Sequence, residues 1–295
     1  MPLAWALALG RLVARVWYYV LPVRKRVAAR NIRLVYGDEL SDAEQKRILK
    51  EAFLNFGMYG AELLRLPFIT REISDGLVER ENFDILDDAI ARGNGVIVPT
   101  AHLDNWDLLG CSQALRGVPL NVIVKSIGWK AAHDFVFAVR HRCGFKTIGT
   151  RKTSEEIKAA LGRGEVVAMI IDQHMVKHRG IVCDLFGYAA STTPAVARFA
   201  YETGAAIVPA VMKRLDNNGR HRVIVEPEFF LESPHAERAQ NIRHNTERLN
   251  RMLEGWIRRA PEQWLWHHRR WKVHEDPRGW EVPPALSERT QNISS

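Results

Sequence analysis

Cysteine is scarce in this sequence, and its few occurrences are far apart. Cys111, Cys143 and Cys183 are the three cysteines in 295 residues, and no Cys-x-x-Cys pair occurs. Structural zinc sites and disulfide frameworks need paired or closely spaced cysteines. The sequence therefore predicts neither kind of site, and a reducing, cytoplasmic environment is the default expectation.

A serine-nucleophile motif is also missing. No Gly-x-Ser-x-Gly sequence occurs anywhere in the chain. That motif places a serine on a sharp turn between a strand and a helix, where it can form a covalent intermediate with its substrate. Its absence argues against chemistry through a covalent serine intermediate.

Charge and hydrophobic content narrow the class of protein further. Hydrophobic residues make up 46% of the chain, which is enough to bury the core of one large domain or two small ones. The formal net charge is +8. A positive charge of this size indicates an anionic partner, which could be nucleic acid, a phospholipid surface, an acidic carrier protein or a phosphorylated substrate.

Residues 1–30 combine apolar and basic positions at helical spacing, which predicts one amphipathic helix. A membrane-spanning helix would place Arg11 and Arg15 near the bilayer centre, at about 2.5–3.5 kcal/mol each. Aromatic residues at 17–19 suit the headgroup region, and the basic cluster at 24–33 suits anionic lipid. We therefore expect a helix that lies in the membrane interface, with a packed domain helix and a true span as alternatives.

Apolar runs alternate with amphipathic segments along the rest of the chain. The predicted strands are 96–98, 118–124, 166–171, 206–211 and 222–226. The predicted helices are 41–64, 83–92, 131–142, 154–161, 194–203 and 241–257, with one more that begins near Asp104. This alternation predicts an α/β fold with a mixed, largely parallel central sheet flanked by helices. We divide the chain into the N-terminal helix (1–30), a central domain (31–272) and a C-terminal tail (273–295).

The most informative stretch is Gly-Val-Ile-Val-Pro-Thr-Ala-His-Leu-Asp-Asn-Trp-Asp at residues 95–107. It predicts a buried strand followed by a helix, with His102 at the junction. On a continuous helix, His102 and Asp107 would lie about 140° apart, because each residue turns by about 100°. If His102 instead lies in the turn, the Asp107 carboxylate can hold one imidazole nitrogen and leave the other as a general base. The alternative is that Asp104 is the N-cap and Asp107 complements the helix dipole.

These residues resemble a known family. His102-Leu-Asp-Asn-Trp-Asp107 is similar to the His-x4-Asp/Glu motif of the lysophospholipid acyltransferase superfamily, in the form typical of bacterial lipid A lauroyl/myristoyl acyltransferases. Further similar blocks occur in family order, at 31–36, 52–57, 172–173, 184–187, 190–193 and 263–272. The resemblance covers roughly residues 30–272. Two departures are His174, where the family commonly has a small or amide residue, and an N-terminal segment less apolar than in enteric members.

The resemblance implies a glycerolipid-acyltransferase-like fold and a role for each candidate residue. Acyl transfer needs a base for the acceptor hydroxyl, donors for the oxyanion and an apolar trench for the chain. The family motif assigns the base to His102 and its orientation to Asp107. The resemblance also places Asp172 and Gln173 in the active site, with an acid in a strand-end turn as the alternative. By the same resemblance, basic residues that bind the phosphate of the acceptor are expected at Lys125, Arg140 and Arg142.

The sequence and its resemblance together predict an O-acyltransferase. We expect transfer from acyl carrier protein or coenzyme A to a hydroxyl of a phosphorylated glycolipid such as a lipid A precursor, without a cofactor or a catalytic metal. His174 and His178 with Asp172 could imitate a metal cluster, but they lack a zincin pattern. The expected location is the cytoplasmic face of the bacterial inner membrane, as a peripheral or monotopic protein, with no nucleic-acid partner.

Other functions are compatible with the same residues. A lysophospholipid, phosphatidylinositol-mannoside or aminolipid acyltransferase would use the same dyad on a different acceptor. A non-catalytic protein that binds anionic membranes or nucleic acid would explain the positive charge. The nucleic-acid alternative has no recognition motif to support it, and it leaves the apolar N-terminus without a role.

Overall fold

The computed structural model describes residues 1–21, 23–124, 128–149, 152–275, 280, 282–283 and 285–286. The chain forms two compact units whose segments interleave along the sequence. The first unit contains Met1–Leu12, Phe56–Ile170 and Phe199–Phe230, and the second contains Val13–Asn55, Ile171–Arg198 and Leu231–Ser295. The predicted division at residues 30 and 273 stays a prediction.

Helices and strands alternate from residue 71 to residue 170, after a run of helices at the start of the chain. The helices are α1 Leu3–Tyr19, α2 Lys25–Tyr36, α3 Asp42–Leu63, α4 Arg71–Leu77, α5 Phe83–Ala91, α6 Trp106–Ala114, α7 Lys130–Cys143, α8 Thr153–Gly162, α9 Ala195–Thr203, α10 Arg238–Arg259 and α11 Lys272–Glu275. The strands are β1 Val78–Glu81, β2 Val96–Thr100, β3 Leu120–Ile123, β4 Lys146–Ile148, β5 Val166–Ile170, β6 Ile181–Leu185, β7 Tyr188–Thr192, β8 Ala206–Ile207, β9 Ala210–Arg214 and β10 His221–Val225. Single turns of 3₁₀ helix occur at Leu66–Phe68 and Pro261–Gln263.

Within the described part of the first unit, five parallel strands form a sheet in the order β4-β3-β5-β2-β8. Every residue of β2 is buried, as expected for a continuous apolar run between two neighbouring strands. The α/β fold with a largely parallel sheet and flanking helices is therefore confirmed. The carboxyl end of β2 leads directly to His102.

A second sheet in the first unit has the order β1-β10-β9. Strand β10 is parallel to β1 and antiparallel to β9. The prediction of one strand over 206–211 was wrong, because that stretch contains both β8 and the start of β9. Pro209 lies between them, and its missing N–H prevents it from continuing a strand ladder. The break lets β8 pair with β2 and lets β9 pair with β10.

The second unit contains the antiparallel hairpin of β6 and β7 and the long helix α10. The side chain of Asn250 on α10 donates to the Asp184 carbonyl at 2.6 Å. The fully buried Arg270 donates to the Ser191 carbonyl and to the Thr192 hydroxyl, at 2.6 Å each. Three of the sequence blocks that resemble the family therefore meet in one buried polar structure.

The prediction of a single helix over residues 1–30 was wrong. The structure has α1 and α2 instead, and Arg24 before α2 is in the left-handed region at φ 63°. The sequence between them holds Pro22, and proline disfavours helical backbone in the residue before it. Among the described residues, no helix is both long enough and apolar enough to span a bilayer.

Helix α1 has a buried face and an exposed apolar face. Ala6, Leu7 and Ala14 are buried. Five apolar side chains on the other side are between 46% and 69% exposed; we call them the apolar stripe, and they are Trp5, Leu9, Leu12, Val13 and Val16. Their spacing of three and four residues places them along one side of the helix.

Glycine permits a close approach between α1 and α3 in the first unit. A Cβ atom at Gly10 would lie 2.4 Å from the Gly57 carbonyl oxygen and 3.1 Å from the Ala61 Cβ atom. Backbone atoms of a packed helix have little room to move, so residue 10 has to lack a side chain. This contact fixes how closely the two helices can pack.

We expect Gly10→Ala to lower the melting temperature. The clash with the Gly57 backbone costs about 1–3 kcal/mol by the range for overpacked cores, which exceeds the gain of at most about 1 kcal/mol from helix propensity. Gly60→Ala on α3 is the matched control, since a Cβ there meets no atom within 4 Å. It should raise the melting temperature, and equal shifts for the two variants in thermal unfolding would contradict the close-approach explanation.

Candidate active site

The residues of the His-x4-Asp motif lie where β2 gives way to α6. His102 is half-buried in a bend two residues after β2 ends, and Asp107 is buried in the first turn of α6. The predicted placement of both residues is confirmed. We call residues 101–105, which join the strand to the helix, the motif loop.

The N-cap of α6 is Asn105 and not Asp104, so the capping half of that alternative is wrong, whereas Asp107 does lie in the first turn, where it complements the helix dipole. The Asn105 side-chain oxygen accepts a hydrogen bond from the Leu108 N–H at 2.9 Å. The helix begins at Trp106, two residues later than predicted. Asp104 instead adopts the left-handed conformation, at φ 50°, and its carboxylate is buried.

The Asp107 carboxylate is enclosed by donors from two other helices of the first unit. Arg140 on α7 donates to Oδ1 through Nε at 2.9 Å and through Nη2 at 2.8 Å. Tyr59 on α3 donates to Oδ2 at 2.8 Å. Burial, and then the negative charge of Asp107, raises the pKa of the Tyr59 hydroxyl well above its usual value. Tyr59 therefore stays protonated and remains a donor.

Aromatic rings link His102 to this carboxylate. The His102 ring meets Trp106 edge to face, with 4.7 Å between centroids. Trp106 in turn packs against Tyr59 at 4.2 Å. Such contacts restrict the rotation of the imidazole. The direct pairing of His102 with Asp107 stays a prediction.

A mostly apolar cavity in the first unit opens beside Asp107. Its volume, taken as the space that the centre of a water molecule can reach, is about 60 Å³, several times the requirement of one water. Most of its lining is aliphatic or aromatic, with polar groups at a few positions: Leu86, Val98, Thr100, Trp106, Asp107, Leu109, Gly110, Gln113, Val118, Leu120, Val122, Arg140, Phe145, Val166, Ala168, Ile170 and Ala210. The cavity therefore joins apolar space to the charged pair of Asp107 and Arg140.

Three buried charged side chains surround the Asp104 side chain of the motif loop. We call the four residues the ion cluster: Glu62, Asp104, Arg214 and His221. Arg214 contacts Glu62 at 2.7 and 2.6 Å and Asp104 at 3.1 Å. His221 contacts Asp104 at 2.5 Å through Nδ1 and Glu62 at 3.2 Å through Nε2. The four side chains are between 1% and 6% exposed, so water does little to screen these charges.

The protonation states in the ion cluster follow from its contacts. Burial alone would lower the pKa of His221, but the Asp104 and Glu62 carboxylates outweigh it and raise the pKa to about 9. Burial alone would raise the pKa of Glu62, but donors from His221 and Arg214 hold it well below its usual value. With His221 protonated, two cations balance two carboxylates. Glu62, Asp104 and His221 are ligand types that bind metals, but Arg214 already supplies the compensating charge.

The other predicted site residues lie in different parts of the chain, and not all of them belong to the first unit. Arg142 is exposed and lies two residues beyond Arg140, about 200° around α7. Lys125 lies outside the described residues. Asp172 and Gln173 belong to the second unit, where buried Asp172 accepts a hydrogen bond from the Trp264 indole at 2.8 Å. Their place beside His102 and the substrate-binding roles of all these residues stay predictions.

Most of the ion cluster and the role of Tyr59 were not predicted from the sequence. Glu62, Arg214 and His221 stand 42, 110 and 117 residues from Asp104. No local sequence motif indicates a role for these three residues, because each is a single polar residue within a helix or strand of unremarkable composition. One sequence feature could have indicated part of the site: Tyr59 and Glu62 are three residues apart and therefore lie on the same face of α3.

The family described as bacterial lipid A biosynthesis acyltransferase matches residues 1–273. Lipid A biosynthesis lauroyltransferase of Escherichia coli K12 is 25% identical over 270 residues, which cover 91% of this chain and 84% of the relative. The palmitoleoyltransferase of the same organism is 25% identical over 255 residues, or 85% and 79%.

Mycobacterial relatives match over a shorter stretch. Phosphatidylinositol mannoside acyltransferase of Mycobacterium tuberculosis is 26% identical over 161 residues, which are 52% of this chain. The chain spans about half of that relative's length, 51%. The family resemblance drawn from the motif blocks is confirmed by the family match over residues 1–273 and by the two Escherichia coli relatives.

The raised pKa of His221 predicts how stability changes with pH. A group whose pKa rises on folding, here from 6.5 to about 9, stabilises the folded state fully below pH 6.5 and loses that contribution as pH rises through about 9. The difference in unfolding free energy between wild type and His221→Gln should therefore fall by about 3 kcal/mol over this interval. Urea denaturation at a series of pH values measures it.

His141→Gln is the control for this titration, because the His141 side chain is exposed on α7. A His221→Gln curve that matches the His141→Gln curve would contradict a charged His221 in the ion cluster.

Proposed function

Because this chain belongs to the bacterial lipid A biosynthesis acyltransferase family, we propose that it transfers a fatty acyl group to a hydroxyl of a phosphorylated glycolipid. The donor is an acyl thioester, carried by acyl carrier protein or coenzyme A. Lipid A precursors are the first acceptors to test, because relatives named as lipid A transferases match over most of this chain. Glycosylated phosphatidylinositol is the second, because the mycobacterial relatives match over about half of it.

The observation that carries this proposal is the apolar cavity with Asp107 and Arg140 in its wall. A fatty acyl chain needs apolar space, and its thioester carbonyl needs polar groups at one end of that space. The cavity combines both within one unit. A nucleic-acid-binding role would leave this buried apolar space unused.

The proposed reaction is a direct transfer. His102 accepts the proton of the acceptor hydroxyl as its oxygen bonds to the thioester carbonyl carbon, which produces a tetrahedral oxyanion. The intermediate collapses, the carbon–sulfur bond breaks, and His102 returns the proton to the departing thiolate. Backbone N–H groups in the first turn of α6 are candidate donors to the oxyanion.

Asp107 supports the base in this proposal. Its negative charge stabilises the imidazolium that forms when His102 accepts the proton. Arg140 and Tyr59 hold the carboxylate in one orientation, so it presents a fixed face to the imidazole. Arg140 also lies in the cavity wall, where its positive charge favours an anionic group of a substrate.

Two surface features support association with the cytoplasmic face of an anionic membrane. The apolar stripe of α1 presents Trp5 and aliphatic side chains to the surroundings. Helix α2 presents Arg26, Arg30 and Arg33 on its exposed side, at spacings of four and three residues. Apolar residues that enter the headgroup region, together with basic residues that attract anionic lipid, are typical of interfacial helices.

We expect His102→Ala to lower the rate of acyl transfer by about 10²–10⁴-fold, which is the range for loss of a general base, while the protein remains folded. The assay uses two donors separately, acyl carrier protein loaded with a labelled acyl group and labelled acyl-coenzyme A. Each donor is tested with lipid A precursor, lysophospholipid or glycosylated phosphatidylinositol as the acceptor. His141→Ala is the control, since His141 is exposed on α7 of the same unit. Wild-type turnover by folded His102→Ala would refute His102 as the base.

The triple variant Leu9→Ser, Leu12→Ser and Val16→Ser should weaken co-sedimentation with anionic vesicles by about 100-fold, because each half-exposed side chain contributes on the order of 1 kcal/mol. Its melting temperature should change little, since these residues are already exposed. The matched control replaces Ile73, Val176 and Phe230, which are exposed apolar residues on other segments. Equal vesicle binding by the two triple variants would contradict a specific role for α1.

A further inference from the structure

We infer that the ion cluster positions the motif loop for catalysis, and that Glu62, Arg214 and His221 are positioning residues for the proposed acyl transfer. The inference rests on the proposed function of His102 and Asp107. None of these three residues belongs to the His-x4-Asp motif. Each acts through Asp104 or Asn105, which lie between His102 and Asp107 in the chain.

The contacts tie the middle of the motif loop to three elements of the first unit. The Asp104 carboxylate is held by His221 of β10 at 2.5 Å and by Arg214 of β9 at 3.1 Å. The Asn105 amide donates to Glu62 of α3 at 2.9 Å. Two consecutive loop residues are therefore anchored, one on each side of their shared peptide bond.

The backbone at Asp104 explains why such anchors are needed. Its φ of 50° is in the left-handed region, which costs free energy for a residue with a Cβ atom. This conformation turns the chain between His102 and α6. Two cationic partners on the Asp104 carboxylate offset that cost and hold the turn in place.

Asn105 transmits the same constraint to Asp107. One end of its amide accepts from the Leu108 N–H and thereby begins α6. The other end donates to Glu62. The orientation of this one side chain is therefore fixed at both ends, and it sets where α6 begins. Asp107 lies in the first turn of that helix.

Helix α3 supports both parts of the site. Tyr59 donates to the Asp107 carboxylate, and Glu62, three residues later, accepts from Asn105 and Arg214. Residues three apart face the same side of a helix. One turn of α3 therefore fixes the Asp107 carboxylate and the loop that leads to it.

A purely stabilising cluster makes a different prediction from a positioning cluster. Loss of stability alone lowers the folded fraction and leaves the turnover of folded molecules unchanged. Loss of position changes the distance between His102 and the reacting groups, and a misplacement of about 1 Å can cost about 100-fold in rate. Turnover at matched folded fraction therefore separates the two roles.

The test compares His221→Gln with Val223→Ala in the full chain. Val223 is fully buried on the same strand, two residues away, so its truncation destabilises the unit without removing a charged partner of Asp104 or Asn105. We expect His221→Gln to lower kcat by about 10–100-fold with a KM change below about threefold. We expect Val223→Ala to keep kcat within about threefold at a temperature where both variants are folded. Equal kcat values for the two variants would overturn the inference.

A second readout does not depend on turnover. NMR spectra at one pH should give changed chemical shifts for the His102 imidazole in His221→Gln, and wild-type shifts in Val223→Ala. If the wild-type protein transfers acyl groups to no acceptor, the proposed function fails, and these spectra still decide the positioning role. Wild-type His102 resonances in His221→Gln would overturn it.

Restoring charge balance supplies a further check. His221→Gln leaves one uncompensated carboxylate in the cluster, and adding Asp104→Asn removes that carboxylate while keeping hydrogen-bonding groups of similar size. The double variant should recover at least about tenfold of the lost kcat. A double variant slower than both single variants would contradict positioning through this pair. If His221→Gln does not fold, Glu62→Gln takes its place in the comparison of kcat with Val223→Ala.

Discussion

A buried carboxylate requires a cation or several hydrogen-bond donors at close range, and this requirement organises the candidate site. The six-residue motif contains two buried carboxylates, Asp104 and Asp107. Arg214 and His221 compensate the first, and Arg140 and Tyr59 compensate the second. An uncompensated carboxylate in the same place would cost several kcal/mol, so these partners determine how helices and strands pack around the motif loop.

The apolar walls of the cavity affect the charged side chains beside it. Apolar walls exclude water, so interactions between charges beside them are stronger than on the protein surface. The same walls suit a hydrocarbon chain. The first unit can thus place a strongly oriented carboxylate next to space for an acyl group, because its parallel sheet brings the end of β2 next to α6 and α7.

Local patterns predicted the parts of this molecule that depend on local physics. The apolar run at 96–98 predicted β2, and the motif spacing predicted His102 in a turn and Asp107 in the first turn of a helix. The patterns gave no sign of β1, β4 or the β6–β7 hairpin, which are short and partly polar. They also missed the ion cluster, because its contacts join residues as far apart as Glu62 and His221, which are separated by 159 positions. Hydrophobic periodicity reports which face of an element is buried, but it does not report which elements meet.

The long sequence separation within the ion cluster also has a consequence for synthesis of the chain. Asp104 leaves the ribosome 117 residues before His221, which at about 5–20 residues per second is an interval of about 6–23 s. For the first 110 of those residues the Asp104 carboxylate has neither Arg214 nor His221 to compensate it, so the motif loop stays in contact with water. The first unit therefore acquires its buried loop only after the β9–β10 hairpin has been made, late in translation, and the nascent chain carries a solvated motif until then.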